Sequence, residues 1–217
     1  MKKLIVLVAA GALLTGCGEK LQEAKEAANA MQQLAEAGEK MAETQGEAEE
    51  FLKERRAKGD TVAMPADQLK TFLPTAIDGY KPKEEPSIQQ TAFGEYTFSV
   101  AEQEWVSTSS ADTNNPATIK VSLTDWGGSE GAWAMQSLAF AFNVKTENAQ
   151  ERSGTIDMGL PHTSGMEKFE KESKNSSLMA VTRYRYLINL EAHNQTDDQS
   201  PLLKSIAVAT AEKFSDK

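Results

Sequence analysis

Residues 93–106, FGEYTFSVAEQEWV, and residues 119–124, IKVSLT, carry the pattern that decides the fold. In both stretches apolar and polar side chains alternate, which is the two-residue period of a β-strand with two unlike faces. A polar loop rich in turn-forming residues, 107–117, joins them, so the sequence predicts an antiparallel pair of strands. The apolar positions are Tyr96, Phe98, Val100, Ile119, Val121 and Leu123, and the residues between them include Glu95, Thr97, Ser99, Lys120 and Ser122.

Further helices and strands follow this pair. Residues 132–143, AWAMQSLAFAFN, are apolar on nearly every side and predict a buried helix after a glycine-rich break. The chain is expected to turn near Ser153-Gly154, and residues 167–172 and 177–192 predict strands. Residues 201–214 predict an amphipathic helix that ends the chain. Within 177–192, one predicted face carries Tyr184, Tyr186, Ile188 and Leu190, and the other carries Arg183, Arg185, Asn189 and Glu191.

The region before the first strand contains shorter elements. Residues 67–73 predict a short helix that stops at Pro74, and residues 81–86 predict a charged linker bounded by prolines. Runs of strands joined by helices predict an antiparallel sheet packed by helices on one face, which is the α+β class. We therefore expect an α+β domain over residues 61–217, with two or three helices on its sheet.

The N-terminus carries an export pattern. Two lysines follow Met1, and residues 4–14, LIVLVAAGALL, form an apolar run of 11 residues. This run is too short to span a membrane and has the length of a signal-peptide core. Leu14-Thr15-Gly16-Cys17 follows at once and resembles the bacterial lipobox, which is Leu, a small residue, Gly or Ala, and then Cys. The resemblance implies transfer of a diacylglycerol to the Cys17 sulfur and removal of residues 1–16, and in this family the new amine is often acylated too, with palmitate as the expected acyl group.

Composition agrees with an anchored envelope protein. Cys17 is the sole cysteine, so no disulfide can form within the chain. Loss of two lysines with the signal would take the net charge from −9 to about −11, which disfavours nucleic-acid binding. In lipoproteins of this type Asp after the lipidated cysteine favours the inner membrane. Here that residue is Gly18, which by resemblance implies the periplasmic face of the cell outer membrane.

Residues 19–58 differ in composition from everything after them. They lack proline and are rich in Ala, Glu, Lys and Gln, so they predict a long helix, ended by Gly59-Asp60, within a lipidated stalk over residues 17–60. Small or apolar residues recur at heptad spacing, a weak coiled-coil seam. Two interpretations stay open: self-association or partner binding through the helix, and a solvated spacer of about 57 Å. The seam residues are Leu21, Ala24, Ala28, Met31, Ala35, Gly38 and Ala42.

Candidate catalytic and metal-binding residues are few. His162 lies in a loop beside Ser164, but that spacing matches no known nucleophile and base pair, and His193 is expected near a sheet edge. The acidic clusters Asp112–Asn115 and Asp197-Asp198 lack the spacing of a calcium loop. Gly127–Gly131 could offer N–H groups to an anion, although Glu130 would repel phosphate. The aromatic residues Trp105, Trp126, Trp133, Tyr184 and Tyr186 fit a core better than a ligand groove.

The sequence therefore predicts no catalytic, cofactor-binding or metal-binding residue and leaves two functional hypotheses. The first is a membrane-anchored envelope lipoprotein with a non-enzymatic binding or assembly role in the periplasm. The second is a lipid-anchored receptor for a small ligand, or an enzyme that acts on an envelope component. A deep pocket with converging polar side chains near His162 or the tryptophans would favour the second hypothesis.

Overall fold

The computed structural model describes residues 45–94, 96–110, 114–129 and 145–215. They form a nine-stranded antiparallel sheet with helices, which confirms the α+β class. The lipobox, the heptad seam and the predicted helix over 132–143 lie outside the described residues.

The helices are α1 (residues 45–57), α2 (Ala66–Leu69, continued by the 3₁₀ turn Lys70–Phe72) and α3 (Ser200–Glu212). The strands are β1 (Tyr80–Pro82), β2 (Ser87–Phe93), β3 (Tyr96–Ser107), β4 (Thr118–Asp125), β5 (Thr146–Glu147), β6 (Glu151–Asp157), β7 (Thr163–Glu170), β8 (Ser176–Thr182) and β9 (Tyr186–His193).

The strands follow the order β1-β3-β4-β9-β8-β7-β6-β5 across the sheet. The 12-residue strand β3 carries β1 along one end of its outer side and β2 along the other end. Its inner side pairs antiparallel with β4, as the sequence predicts, and Glu102 lies opposite Ser122 in the register. Strand β9 returns to lie between β4 and β8, so it is central in the sheet.

One face of the sheet is covered by α2 and α3. The ring of Phe214 stacks between Phe72, with ring centroids 4.5 Å apart, and Tyr186, at 4.2 Å. Leu69 and Leu203 of the two helices are fully buried. The strand residues of this core are alternate positions of the central strands: Ala101, Trp105, Ile119, Val121, Leu123, Leu178, Ala180, Ile188, Leu190 and Ala192.

The pairing of β3 with β4 decides which face of β3 lies under the helices. Ser99 and Trp105 point towards the helices and are buried, whereas Tyr96, on the opposite face, is 48% exposed. The apolar residues at 96, 98 and 100 therefore do not mark the helix-covered face of this strand. Register with β4, which buries Ile119 and Val121 against the helices, decides the orientation instead.

Three expectations from the sequence are wrong. Residues 177–192 form the hairpin β8–β9 and not one strand, because Arg183 and Tyr184 turn the chain with positive φ angles of 53° and 52°. Gly154 lies inside β6 and not at a turn. The predicted linker over 81–86 contains the end of β1, since an edge strand tolerates Pro82.

Helix α1 ends where its glycine predicts. Gly59 takes a positive φ of 71°, the left-handed conformation that glycine adopts without strain. The N–H of Asp60 donates to the carbonyl of Arg55 at 2.9 Å, and the N–H of Gly59 donates to Arg56 at 3.1 Å. These two bonds form a Schellman motif, which closes the helix and directs the chain onto the sheet.

Candidate functional site

A charged cluster lies where the chain leaves α1 and crosses the end of the sheet. Arg185, in the β8–β9 turn, donates two hydrogen bonds to the carboxylate of Asp125, at 2.6 and 2.8 Å. It donates two more to Asp60, at 2.8 and 2.9 Å, and one to the carbonyl of Val62 at 3.1 Å. Arg55 of α1 adds an ion pair with Asp60 at 3.3 Å. We call the side chains of Arg55, Asp60, Asp125 and Arg185 the Arg185 cluster.

The cluster is buried at its centre. Asp125 is fully buried and Arg185 is 5% exposed, so each charge needs a partner inside the protein. The carboxylate of Asp125 also accepts the backbone N–H groups of Met64 at 2.7 Å and Gly127 at 2.8 Å. With four hydrogen bonds to its two oxygens, Asp125 holds β4, the β8–β9 turn and the segment after α1 in one arrangement.

The segment after α1 is pressed against the backbone that follows β4. Gly128 donates its N–H to the carbonyl of Thr61 at 2.7 Å, and Ala63 donates to the hydroxyl of Thr97 at 2.8 Å. A Cβ added at Gly127 would stand 2.8 Å from the nitrogen of Ala63 and 2.8 Å from the carbonyl oxygen of Thr97. Glycine is therefore required for this close approach.

Electrostatic partners shift the pKa values of the cluster. Burial alone would raise the pKa of Asp60, but hydrogen bonds and charge from Arg185, followed by Arg55, hold that pKa below its ordinary value. Burial lowers the pKa of Arg55, and the nearby charge of Arg185 adds to this effect. Burial acts to lower the pKa of Arg185, but the hydrogen bonds and charge of Asp125 outweigh this effect. The pKa of Arg185 is therefore above its ordinary value. Arg55 of α1 therefore helps Arg185 to lower the pKa of Asp60.

A second group of contacts holds α1 beside the cluster. The hydroxyl of Tyr184 donates to the carboxylate of Glu47 at 2.6 Å. The ring of Phe51 lies 5.3 Å from that of Tyr184 and 4.8 Å from that of His162, centroid to centroid. Ala48 and Leu52 on the same side of α1 are buried. The last turns of the predicted stalk therefore pack on the sheet domain.

The residues that receive α1 have unusual backbone conformations. His162, Arg183 and Tyr184 have φ angles of 52°, 53° and 52°, in the left-handed region that disfavours residues with a Cβ. Asn-Gly is the usual sequence for such a turn. Because Tyr184 contacts α1 and Arg183 lies with its guanidinium 5.7 Å from the Phe51 ring, the side chains explain why glycine is absent here.

The residues singled out from sequence fall in several places. His162 contacts α1, with its Nδ1 3.8 Å from the carboxylate of Glu47. The expectation that His193 lies near a sheet edge is wrong, since it ends the central strand β9 opposite Thr118. Asp198 accepts the N–H of Ser200 at 2.9 Å at the start of α3, which is a structural role. Arg152 donates to the same carboxylate at 2.8 Å.

The glycine loop and the aromatic residues have packing roles. The N–H groups of Gly127 and Gly128 already bond Asp125 and Thr61, so they offer no donors to an anion. Trp105 and Tyr186 are buried in the core, as predicted. Tyr184, predicted on a strand face, is instead the turn residue that receives α1.

Sequence reasoning missed the acidic half of the Arg185 cluster and placed Arg185 on a polar strand face. A signal for Asp125 does exist. It continues the alternation of Ile119, Val121 and Leu123, so the pattern itself carries a carboxylate onto the buried face. Arg185 carries no comparable signal, because the turn before it was unrecognised.

Clefts open on the surface of the described residues, and the three named below do not border His162 or a tryptophan. A cleft of about 280 Å³ between β1, β2 and β3 is lined by charged side chains that include Lys83, Glu84 and Glu102. One of about 330 Å³ lies between α3 and the loop over 74–78, and one of about 530 Å³ lies beside Glu151 and Glu170. Among the described residues, no three or more His, Cys, Asp or Glu side chains are grouped to bind a metal ion, and no helix has the length and apolar character to cross a membrane.

The junction of α1 with the sheet is therefore the candidate functional site. It combines the buried Arg185 cluster, the strained β8–β9 turn and the close backbone approach at Gly127. No protein-family model, curated protein or solved structure matches the chain.

Proposed function

We propose that this chain is a membrane-anchored envelope lipoprotein with a non-enzymatic binding or assembly role. The signal over residues 1–16 is cleaved between Gly16 and Cys17, and acyl chains on Cys17 hold the protein in the bilayer. Residues 17–60 form the lipidated N-terminus and helical stalk, and residues 61–217 form the α+β domain. The protein lies on the periplasmic face of the outer membrane.

The Arg185 cluster is the observation that carries this proposal. A domain that only needs to stay near a membrane can be tethered by a flexible linker. This chain instead buries an aspartate and an arginine where the N-terminal helix joins the sheet. Because buried charges are costly and are satisfied in one geometry, they favour a junction that fixes the domain's orientation relative to the helix.

The helix before residue 45 completes the proposed architecture. A continuous helix over residues 19–44 would reach about 39 Å at 1.5 Å per residue. With α1 packed on the domain, this upstream part is the proposed spacer, and its small-residue seam is the proposed contact for a partner helix. Fixed height and orientation suit a protein that presents one surface to a partner within the envelope.

Capture from crosslinked cells tests the proposed function. The full-length chain and a Cys17→Ala variant are expressed in the parent organism at equal levels, and proteins crosslinked to each are identified by mass spectrometry. We expect one dominant envelope partner with the wild-type chain and its loss with Cys17→Ala.

A junction variant sharpens this experiment. Asp60→Asn removes a cluster charge while Cys17 remains, so it should keep the protein at the membrane but weaken capture if orientation matters. Turnover of an envelope substrate that depends on a single side chain of the domain would contradict the non-enzymatic role.

A further inference from the structure

The sheet has a second face, which points away from α2 and α3. Residues paired across an antiparallel sheet lie on the same face, so Val100, Thr124, Leu187 and Val181 form one row across four strands of the second face. Val181 is 2% exposed although it points away from α2 and α3. We call this row and the neighbouring side chains on the same face the apolar half: Phe98, Trp126, Met179 and Met166.

The other half of the second face is charged. Lys120 forms an ion pair with Glu102 at 3.1 Å, and Lys168 forms one with Glu170 at 2.9 Å. Glu191 lies opposite Lys120 in the register of β4 and β9. One face of an antiparallel sheet commonly contacts water, and these charged side chains suit that environment. The apolar half does not, because exposure of a contiguous apolar surface to water is unfavourable.

Residues 130–144, which lie outside the described residues, connect two distant parts of this sheet. Ser129 follows β4, and Lys145 precedes β5, where its side chain lies beside Gly154 of β6. Strands β9, β8, β7 and β6 lie between β4 and β5, so the connection passes five strand spacings of about 4.8 Å, or about 24 Å. Because α3 packs across β7, β8 and β9 on the helix-covered face, the second face is the direct route.

The length and composition of this segment suit the crossing. If residues 132–143 form the helix that the sequence predicts, they span about 18 Å, and the three other residues add up to about 10 Å. The only charge in the segment is Glu130. Met135, Leu138 and Phe142 recur at i, i+3 and i+7 and would form one apolar stripe along such a helix.

We propose that residues 130–144 cross the second face of the sheet and pack Met135, Leu138 and Phe142 on its apolar half, around Leu187. Helices then pack on both faces of the sheet at the end that carries the Arg185 cluster. The charged half stays open, so it is the part of the second face that can meet a partner. This arrangement does not depend on lipidation of Cys17.

Site-specific photo-crosslinking tests the proposed packing. Benzoylphenylalanine replaces Leu138 in the full-length chain in native membranes, and irradiation joins it to neighbouring C–H bonds. We expect mass spectrometry to identify crosslinks to peptides of β8 and β9 that contain Met179, Val181 or Leu187. The same photoreactive residue in place of Gln136, which lies outside the apolar stripe, should give far fewer of them. Crosslinks from position 138 to α3, to lipid or to a second protein chain overturn the proposal.

A double-mutant cycle measures the same contact without a bulky probe. Leu138→Ala and Leu187→Ala are combined, and urea unfolding of the full-length chain gives the unfolding equilibrium constant of each variant. Because residues in contact couple, we expect the combined effect to depart from the product of the single effects by at least about threefold. Leu202→Ala, on α3 at the opposite face, should combine with Leu138→Ala within about twofold of that product. Independent effects of Leu138→Ala and Leu187→Ala would contradict the packing.

Discussion

Arg185 shows how one side chain can join three parts of a chain. It follows two residues with positive φ, and its guanidinium bonds the carboxylates of Asp60 and Asp125 together with a backbone carbonyl. Removing one partner from a buried ion pair leaves an uncompensated charge, which costs far more than the pair contributes in net terms. The residue therefore specifies the geometry of the junction more than it adds to stability.

Substitution of Arg185 should be severe. Arg185→Met leaves the fully buried carboxylate of Asp125 without its charged partner. We expect the substitution to lower the free energy of unfolding by about 3–5 kcal/mol. Arg183→Met removes the same charge two residues earlier, where the side chain is partly exposed, and should cost about 1 kcal/mol. Urea unfolding followed by circular dichroism measures both. Equal losses would contradict the role assigned to Arg185.

Acid should weaken the junction through Asp60. Its pKa is depressed in the folded state, so its contribution is fully present above the unfolded pKa of about 3.9 and is lost as pH falls through the folded pKa. The side chain is 45% exposed, which limits the contribution to about 1 kcal/mol. The difference in unfolding free energy between wild type and Asp60→Asn should stay constant above about pH 5 and shrink below about pH 4. A difference that grows on acidification would have the wrong sign.

Substitution of Gly127 tests how closely the segment after α1 approaches the backbone that follows β4. Gly127→Ala places a Cβ 2.8 Å from two backbone atoms, and it puts alanine at a φ of +54°, which disfavours residues with a Cβ. Gly159→Ala has a comparable φ of +70° but open space, so it should cost only the conformational term of about 1–2 kcal/mol. We expect the loss at Gly127 to be at least twice as large in thermal unfolding. Similar losses would mean that the backbone can separate without penalty.

At the scale of elements, α1 belongs to both parts of the molecule. Its sequence continues the charged, alanine-rich composition of the predicted stalk, yet Ala48 and Leu52 are buried while Gln45 and Glu49 are exposed. The buried stripe is narrow, so the tertiary contacts with Tyr184 and the Arg185 cluster stabilise this helix more than its own propensity does.

Docking of α1 can be measured directly. Leu52→Ala removes a side chain that is 6% exposed and should destabilise the docked helix by about 2–3 kcal/mol. Lys53→Ala, one residue along on the exposed side, should have little effect. Amide hydrogen exchange of residues 48–57 should speed up in the first variant and not in the second. Exchange that stays slow in both would contradict the proposed packing of α1.

The elements also show what the sequence can predict. Strands β3 and β4 pair antiparallel as predicted, and β4 alternates strictly, whereas the apolar residues at 96, 98 and 100 do not mark the helix-covered face of β3. The β8–β9 hairpin cannot be predicted from the local sequence, because Arg183 and Tyr184 occupy turn positions where glycine or asparagine is expected. Residues 87–92 of β2 include no buried side chain, so no alternation of buried and exposed positions marks this part of the strand. The Arg185 cluster depends on contacts between residues up to 125 positions apart, which local patterns do not contain.

At the scale of the whole molecule, the buried charges of the Arg185 cluster lie at the end of the sheet on which α1 packs. The second face of the sheet is apolar at that end and charged at the other. Both features make sense if the helix positions the domain at a membrane and the domain meets other molecules through its sheet. The proposed organisation depends on Cys17 as the point of attachment.

Mass spectrometry of the mature N-terminus in the parent organism tests that dependence most directly. The account predicts an N-terminal peptide that begins at Cys17 and carries the mass of a diacylglycerol and a further acyl chain, in protein recovered from membranes. A mature chain that begins at another residue, or one that begins at Cys17 with an unmodified thiol and is released from membranes, would contradict the central claim.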